Sequence, residues 1–510
     1  MPRAGARRGA NAFDDCMMRQ RLSNRLPPKS PSREEVEGCG GAKAGLDAKG
    51  AARILKRRVA GRAGRTPDIG VLSRIRDRMA RNRYAQVGLG SRGEMYWQAI
   101  SGEYAGTSEL VGISDTNPGR TEMVRKALAE RGFEVPSYPS NDFDSMLAEQ
   151  GPDTVIVTSK DSTHDLYIVK ALEAGADVIT EKPLTIDAAR LQRIVDAIKR
   201  TGRRVRVTFN YRYSPVRAQV KELLQSGVVG DILSVDFNWN LNTDHGADYY
   251  RRWHRNKENS GGLMVHKATH HFDLVNWWLG TVPATVAAFG TRQFYTERQA
   301  EFYGLEGHGE RCRGCAVSGK CNFYLDIAAN PGLKSLYLDN EKFDGYFRDR
   351  CVFSPLIDIE DTMCLVVRYK SGAIMSYSLN SFLPWEGYRI SFNGTKGRLE
   401  HVAQETVYIS GDGSVPGQMK SGATTITVYP HFRKAYRIRI HKSRGGHGGG
   451  DARLLEDIFG TKSRPDPLGR RADHRAGAYS VLTGIAANRS MATGEVVAIE
   501  SLVKGLDEAR

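Results

Sequence analysis

The chain lacks a long apolar run. Its longest uncharged stretch, Leu274 to Thr291, is interrupted by Gly280 and Pro283, so we expect no segment to span a membrane. The Arg7-Arg8 pair is not followed by an apolar region, which argues against a twin-arginine export signal. These absences favour a cytoplasmic protein that does not bind a membrane.

Cysteine is scarce, with seven residues in 510 and no secretory signal, which argues against a disulfide framework. Four of the seven lie in a predicted insertion at about 296–355: Cys312, Cys315, Cys321 and Cys351. Four thiolates beginning with a CxxC pair suit tetrahedral zinc or an iron-sulfur cluster, but reduced, buried thiols have the same spacing. Cys364 falls in a predicted strand, where we expect a core position.

Positive charge is concentrated at one end of the chain. Residues 1–82 carry 20 Lys and Arg against 8 Asp and Glu, which accounts for +12 of the net charge of +16. No apolar period is sustained there, so we predict a disordered basic extension and no nucleic-acid partner. Four residues separate Met79 from the first predicted strand, so residues 1–78 are either an over-extended gene model or a solvated arm.

Residues 83–209 alternate between apolar strands and amphipathic helices. Such β-α-β alternation is typical of a parallel, doubly wound α/β sheet, the Rossmann type. Strands are predicted at 84–87, 110–114, 153–158, 177–180 and 204–209, and helices at 94–101, 118–131, 166–174 and 186–200.

The pattern changes after residue 210, where short strands are joined by glycine turns such as Ser371-Gly372 and Asn393-Gly394. These turns indicate hairpins. We therefore predict a second, α+β domain at 210–505 with an open, largely antiparallel sheet. Its strands are expected at 232–238, 363–369, 373–379 and 388–392.

The loop at 88–93, GLGSRG, has the spacing of a dinucleotide-binding turn between a strand and a helix. Gly88 permits the tight turn, Gly90 lets a pyrophosphate approach the backbone, and Gly93 lets the helix pack on the strand. Asp115 ends the next strand and suits the ribose hydroxyls, which favours NAD, although Arg120 leaves NADP open. The predicted cofactor-binding residues here are Gly88, Leu89, Gly90, Ser91, Arg92, Gly93 and Asp115.

A series of further motifs follows this loop in a fixed order. They are a segment ending in His164, Glu181-Lys182-Pro183, Asn210-Tyr211-Arg212 with Pro215, Gly261-Gly262 and His270-x-x-Asp273. Together with the glycine loop they resemble the glucose-fructose oxidoreductase, inositol dehydrogenase and rhizopine-catabolism family (Gfo/Idh/MocA), closely over 83–300. The resemblance implies NAD(P) in a cleft between the two domains, and sugars, inositols or their acids as substrates. It adds as cofactor-binding residues Thr158, Ser159, His164, Glu181, Lys182, Asn210 and Arg212.

Two positions are candidates for proton handling. Lys182 follows a strand at the edge where parallel sheets bind ligands, and His270 is an imidazole that can accept an alcohol proton. The family commonly has aspartate four residues before this histidine, but this chain has His266. Either His266 and His270 share the role, or the reaction differs from simple dehydrogenation. Asp273 is expected to anchor the helix.

A polar and aromatic segment precedes the Gly261-Gly262 turn and suits sugar hydroxyls and C–H faces. The resemblance places Trp253 near the nicotinamide and Arg252 near substrate or phosphate. His447, in the string GHGGGD, either reaches the site or belongs to a hinge, and Asp451 is a plausible N-cap. The predicted substrate-binding residues are Tyr211, Asp248, Tyr250, Arg252, Trp253, His254 and His447.

The sequence therefore predicts a NAD-dependent oxidoreductase acting on a CH–OH group of a sugar, inositol or derivative. A redox-neutral lyase, epimerase or glycosidase that keeps its NAD is an alternative, because His266 replaces the usual aspartate. A third interpretation is a non-catalytic dinucleotide sensor with a nucleic-acid-binding arm. By analogy with the family, we also expect a homo-oligomer.

Overall fold

The structure is a computed structural model that describes residues 81–418, 424–441, 446–461 and 465–509. The predicted basic extension, apart from its last two residues, lies outside the described residues. So do Cys16, Cys39 and Met79.

The first domain is built from alternating strands and helices. Helix α2 begins at Pro118 behind the N-cap Asn117, and helix α5 begins behind Asp187 and ends at the left-handed Gly202, so capping residues set both helices. The elements are β1 (Asn82–Val87), α1 (Glu94–Ile100), β2 (Ser108–Asp115), α2 (Pro118–Glu130), β3 (Ser137–Pro139), α3 (Phe143–Gln150), β4 (Thr154–Val157), α4 (His164–Glu173), β5 (Asp177–Thr180), α5 (Ala188–Thr201) and β6 (Val205–Val207).

The second domain combines helices with long strands. Its first part holds α6 (Pro215–Gln225), β7 (Ile232–Asn242), α7 (Thr243–Arg251), α8 (Lys257–Ser260), α9 (Leu263–His266), α10 (Thr269–Leu279), β8 (Pro283–Thr291), α11 (Glu297–Phe302), α12 (Pro331–Leu336) and α13 (Glu341–Asp344). Its second part holds β9 (Thr362–Tyr369), β10 (Ile374–Leu383), β11 (Glu386–Gly394), β12 (Gly397–Thr406), β13 (Thr425–Pro430), β14 (Tyr436–Arg437), α14 (Gly446–Phe459), β15 (Ala472–Asp473), α15 (His474–Thr493) and β16 (Val497–Ala498).

Two sheets organise the described part of the chain. The first has the order β15-β6-β5-β4-β1-β2-β3, with β1 to β6 parallel and β15 added antiparallel at the edge. The second has the order β14-β13-β12-β11-β7-β10-β9-β8-β16 and is antiparallel except between β7 and β10. The predicted fold, a Rossmann domain followed by an open and largely antiparallel sheet domain, is confirmed.

One face of the second sheet is exposed. Side chains along β9 alternate between buried and exposed positions, as expected for a strand with one covered face. The prediction of a core position for Cys364 was wrong, because its side chain falls on the exposed face. Val366 on β9 and Phe289 on the neighbouring strand β8 are exposed large apolar residues.

The glycine cluster near residue 448 differs from the sequence interpretation. Helix α14 is assigned from Gly446, but His447, Gly448 and Gly449 have left-handed backbone angles and kink its start. Asp451 lies inside this helix instead of capping it. Among the described residues, no helix is long and apolar enough to cross a membrane.

Candidate active site

A cleft of about 660 Å³ runs along the carboxyl edge of the parallel sheet, facing the second domain. This edge is where open α/β sheets place ligands. The predicted residues that line it are Gly88, Gly90, Ser91, Arg92, Asp115, Thr158, Ser159, His164, Glu181, Lys182, Asn210, Tyr211, Arg252, Trp253, His254, His266, His270 and His447.

The three glycines of the 88–93 loop occupy different environments. Gly88 has a φ of +90°, and a Cβ there would lie 2.5 Å from the Ser159 backbone nitrogen. A Cβ on Gly93 would lie 2.5 Å from the Gly88 carbonyl oxygen, so helix α1 packs tightly on the turn. At Gly90 the nearest atom is the Tyr337 hydroxyl at 4.0 Å, which leaves the backbone open to the cleft. The loop therefore has one open position, where a phosphate could approach.

Asp115 is already engaged at both carboxylate oxygens. Its Oδ2 accepts the Leu89 backbone N–H at 2.6 Å, and its Oδ1 accepts the Asn117 N–H at 2.7 Å. Arg120 donates to the same Oδ1 at 3.0 Å. The carboxylate thus ties the glycine loop to the start of α2 while it lines the cleft.

Glu181 and Asp451 hold Arg92 from two sides. Arg92 lies 2.7 Å from a Glu181 oxygen and 3.3 Å from an Asp451 oxygen. Asp451 also accepts from the Asn210 amide at 2.7 Å and contacts His447 Nδ1 at 2.8 Å. A C-terminal helix, α14, therefore organises the glycine loop from more than 350 residues away.

Lys182, His266 and Asp161 form a continuous polar chain. Lys182 Nζ lies 3.4 Å from His266 Nε2, and His266 Nδ1 lies 2.5 Å from Asp161 Oδ2. Position 266 lacks the aspartate that is usual in the family. Asp161 of the first domain supplies a carboxylate instead, on the side of the His266 ring that faces away from Lys182. Such a chain can carry a proton between the cleft and a buried acid.

Burial sets the protonation of these groups. Burial lowers the pKa of Lys182 to about 8, although Asp161 partly opposes the shift. Burial, followed by the neighbouring Lys182 charge, lowers the pKa values of His266 and His270 well below 6.5. Burial raises the pKa of Asp161, against the Lys182 charge. At neutral pH both imidazoles are therefore uncharged acceptors or donors, as proton transfer requires.

His270 lies against Tyr211, with ring centroids 4.3 Å apart and nearly parallel planes. Its Nδ1 is buried and has no hydrogen-bond partner within the described protein. Tyr211 is also 5.8 Å from the His447 ring, so both rings flank the same end of the cleft. The stacking fixes the His270 ring.

Arg252 projects into the cleft and is held by Asp248. The Asp248 carboxylate lies 3.3 Å from Arg252 Nη1 and 2.6 Å from Arg348 Nη2. Burial opposes ionisation, but Arg348 and then Arg252 lower the pKa of Asp248 to about 2. Asp248 itself does not line the cleft, so it orients the two guanidinium groups instead of facing a ligand.

Four other predicted site residues also lie off the cleft lining. Arg212 is paired with Asp273, and the Tyr250 hydroxyl contacts the Glu360 carbonyl and Ser381, so both side chains are committed to the interior. Leu89 is buried beside Asp115, and Gly93 packs against the turn. None of the four residues faces the cleft.

Several cleft residues were not assigned from the sequence. Asp161 and Lys267 neighbour predicted residues in the chain, but nothing in their local pattern separates them from surface charges. Tyr249 is another such residue. Its hydroxyl lies 2.8 Å from His245, which belongs to the polar and aromatic segment, and His245 lies 2.8 Å from Glu386. Tyr337, Asp344, Gly345 and Tyr346 come from the insertion and complete the wall.

The four clustered cysteines are free thiols. They line a small cavity, where Cys312 accepts the Leu325 N–H at 3.4 Å and Cys315 the Gly309 N–H at 3.3 Å. Burial raises the pKa of Cys351 to about 11, which favours its protonated form. No group of three or more His, Cys, Asp or Glu within the described ranges is arranged to hold a metal ion. The predicted zinc or iron-sulfur site on Cys312, Cys315, Cys321 and Cys351 therefore has no support here.

Comparison with known families gives two adjoining matches. Residues 82–209 match the family model described as an oxidoreductase family, NAD-binding Rossmann fold (GFO_IDH_MocA). Residues 221–499 match the C-terminal alpha/beta domain of the same oxidoreductase family.

Individual relatives agree with this assignment. The chain is 39% identical over 429 residues to "Putative oxidoreductase YteT" of Bacillus subtilis, covering 81% of this chain and 97% of that protein. It is 26% identical over 216 residues to scyllo-inositol 2-dehydrogenase (NAD(+)) of the same organism, covering 41% of this chain and 57% of the relative.

Solved structures share the fold. An oxidoreductase from Thermotoga maritima aligns with a TM-score of 0.55 at 17% identity, covering 83% of this chain and 100% of that one. The WlbA dehydrogenase from Bordetella pertussis, solved in complex with NADH and UDP-GlcNAcA, aligns with a TM-score of 0.54 at 19% identity, covering 82% and 98%.

Proposed function

The chain belongs to the Gfo/Idh/MocA oxidoreductase family, and on that basis we propose that it is a NAD-dependent oxidoreductase acting on a CH–OH group of a sugar, inositol or sugar derivative. The observation that carries the proposal is the Lys182–His266–Asp161 chain, which opens onto the same cleft as the glycine loop. A dinucleotide held at the glycine loop and the proton-handling residues would then share one cleft.

The residues present fit a dinucleotide. Gly90 leaves open space above the start of α1, where backbone N–H groups favour a pyrophosphate. Ser91 and Arg92 border that space, and Asp115 stands where ribose hydroxyls are bound in this fold. When bound, NAD supplies the hydride acceptor.

Proton handling falls to the chain's own residues. Lys182 binds the substrate hydroxyl, and in its neutral form its Nζ accepts the hydroxyl proton, which His266 passes toward Asp161. His270 faces the same volume from the second domain and is the alternative acceptor, since its imidazole is neutral at pH 7. Trp253, stacked on His254 with ring centroids 3.6 Å apart, offers an apolar surface for the C–H face of a sugar ring.

The experiment is a two-stage screen of the full chain. Inositols, hexoses and uronic acids are first ranked by thermal shift with NAD+ present, because a ligand of the native state raises the melting temperature. Ligands that shift the protein are then assayed for NADH at 340 nm. Lys182→Met and His270→Gln should each reduce kcat at least ~100-fold, the scale of lost acid–base catalysis. NAD+ binding without turnover of any stabilising ligand would contradict the proposal.

A redox-neutral reaction on retained NAD is the second candidate. The observation in its favour is that Tyr337, Asp344 and Tyr346 of the insertion line the cleft beside the glycine loop, with the Tyr337 hydroxyl 3.5 Å from the Ser91 backbone nitrogen. A wall added at this point would slow cofactor exchange. In that case the stabilising ligand would be converted with no net NADH accumulation, and the protein would be isolated with bound cofactor.

A further inference from the structure

The insertion between β8 and β9 packs against the first domain. The Asn117 side-chain amide donates to the Asn340 carbonyl oxygen at 3.0 Å in a buried contact. A Cβ on Gly119 would lie 1.9 Å from Asn340 Oδ1 and 2.7 Å from Phe343, so the first turn of α2 has no room for a larger residue. Helix α13 of the insertion is therefore built directly onto the start of α2.

This contact brings a second carboxylate to Arg120. Arg120 Nη2 lies 3.0 Å from Asp115 Oδ1 and 3.0 Å from Asp344 Oδ2. Only 10% of the Arg120 side chain and 19% of the Asp344 side chain are exposed, so solvent screens this triad weakly. One guanidinium shared by two carboxylates leaves a net charge of −1 at the wall where the adenine ribose is expected.

We infer that Asp344 determines cofactor choice by engaging Arg120 at the cleft wall and adding negative charge beside the ribose. An arginine at this point of the fold can otherwise pair with the 2'-phosphate of NADP. With Asp344 in place, a 2'-phosphate meets two carboxylates and an arginine that is already engaged. The insertion is thus part of the dinucleotide site. Its Asp344 determines cofactor specificity, which Asp115 alone does not. The inference rests on the proposed dinucleotide function.

The test is binding to the full chain, independent of any substrate. Dissociation constants for NADH and NADPH are measured by protein-to-nicotinamide energy transfer for the wild type and for Asp344→Asn. Asparagine retains an oxygen that can accept the Tyr346 backbone N–H, which Asp344 accepts at 3.1 Å, so the local turn is preserved. The matched control is Asp339→Asn, an exposed insertion residue paired with Lys334.

We expect Asp344→Asn to tighten NADPH binding ~10-fold while NADH changes less than about 3-fold, and Asp339→Asn to change neither; tenfold corresponds to about 1.4 kcal/mol. High salt should reduce the gain, since it depends on phosphate charge. The double variant Asp344→Asn/Arg120→Ala should lose the gain. Asp344→Ser, with its melting temperature monitored, serves as a second variant if the asparagine protein does not fold.

Two outcomes would overturn the inference. An unchanged NADPH-to-NADH ratio in both Asp344 variants would show that the residue does not select the cofactor. Equal weakening of both cofactors would assign Asp344 a supporting role only. A wild-type protein that binds neither NADH nor NADPH would instead count against the proposed function, so the two failures are distinguishable.

Discussion

The charge of Lys182 controls how the cleft handles a proton. Burial lowers the pKa of its ammonium group to about 8, so the neutral form grows as the pH rises through that value. We predict that kcat/KM for alcohol oxidation increases from pH 7 to pH 9 with an inflection near 8. The pH profile of initial NADH formation checks this. An inflection near 6.5 would point to a histidine and contradict the assignment.

Asp161, which contacts His266, affects the protonation of Lys182. Its negative charge raises the pKa of Lys182, so Asp161→Asn should lower that pKa and move the inflection to lower pH. The readout is the position of the inflection, which a purely structural role would not move. Asp144→Asn, at an exposed carboxylate paired with Lys170, is the control and should leave the profile in place.

Substitutions at two glycines of the 88–93 loop should distinguish an effect on folding from an effect on cofactor binding. Gly88→Ala places a Cβ against backbone at a positive φ and should destabilise the protein by ~1–3 kcal/mol. Gly90→Ala meets no atom closer than 4.0 Å, so it should keep the wild-type melting temperature and weaken NADH binding at least ~10-fold. Thermal melts and NADH titrations of both variants test the pair. Normal NADH affinity in Gly90→Ala would exclude backbone contact at this position.

Among the helices, α10 is fixed by one buried ion pair. Arg212 Nε and Nη2 lie 2.8 and 2.6 Å from the two Asp273 oxygens, with 7% and 1% of the side chains exposed. Asp273→Asn leaves a buried guanidinium without a counter-charge, at a cost of ~3–5 kcal/mol. The urea midpoint should fall markedly, whereas Asp339→Asn should not change it. An unaltered midpoint would mean that this pair does not anchor the helix.

Local sequence signals located most elements of the first domain and four strands of the second. The helix predicted at 186–200 is observed at Ala188–Thr201, and the strand predicted at 363–369 at Thr362–Tyr369. Capping residues, glycine stops and apolar periodicity act over a few residues, and a single sequence displays them directly. The prediction failed for Cys364, because an open sheet face carries apolar residues that a buried strand would also carry.

Contacts between elements that are far apart in the sequence could not be predicted from local signals. Asp451 reaches Arg92 across 359 positions, and Asp344 reaches Arg120 across 224. Asp344 belongs to no motif, and Asp451 ends the GHGGGD string but was expected only to cap a helix. Each acquires its surroundings only when α14 and the insertion fold back onto the first domain. The structure therefore adds the supporting carboxylates of the cleft, while motifs located the glycine loop, Lys182 and His270.

At the scale of the whole molecule, the exposed face of the second sheet has no role in the proposed site. Phe289, 73% exposed, and Val366 form an apolar centre on neighbouring strands. Charged groups border it, including Arg398, which pairs with Asp236 and Glu400. An apolar centre with a polar rim is the usual composition of a protein interface.

We propose that this face joins two copies of the chain. Burying it would remove apolar surface from water, so the wild type should run as a multiple of the chain mass in size-exclusion chromatography with light scattering. Phe289→Asp combined with Val366→Asp should shift the protein toward the monomer, because each carboxylate would be buried without a partner. Phe302→Asp, at an equally exposed aromatic residue outside the sheet, should leave the mass unchanged. A monomeric wild type, or dissociation caused by the Phe302 variant alone, would exclude this face as the interface.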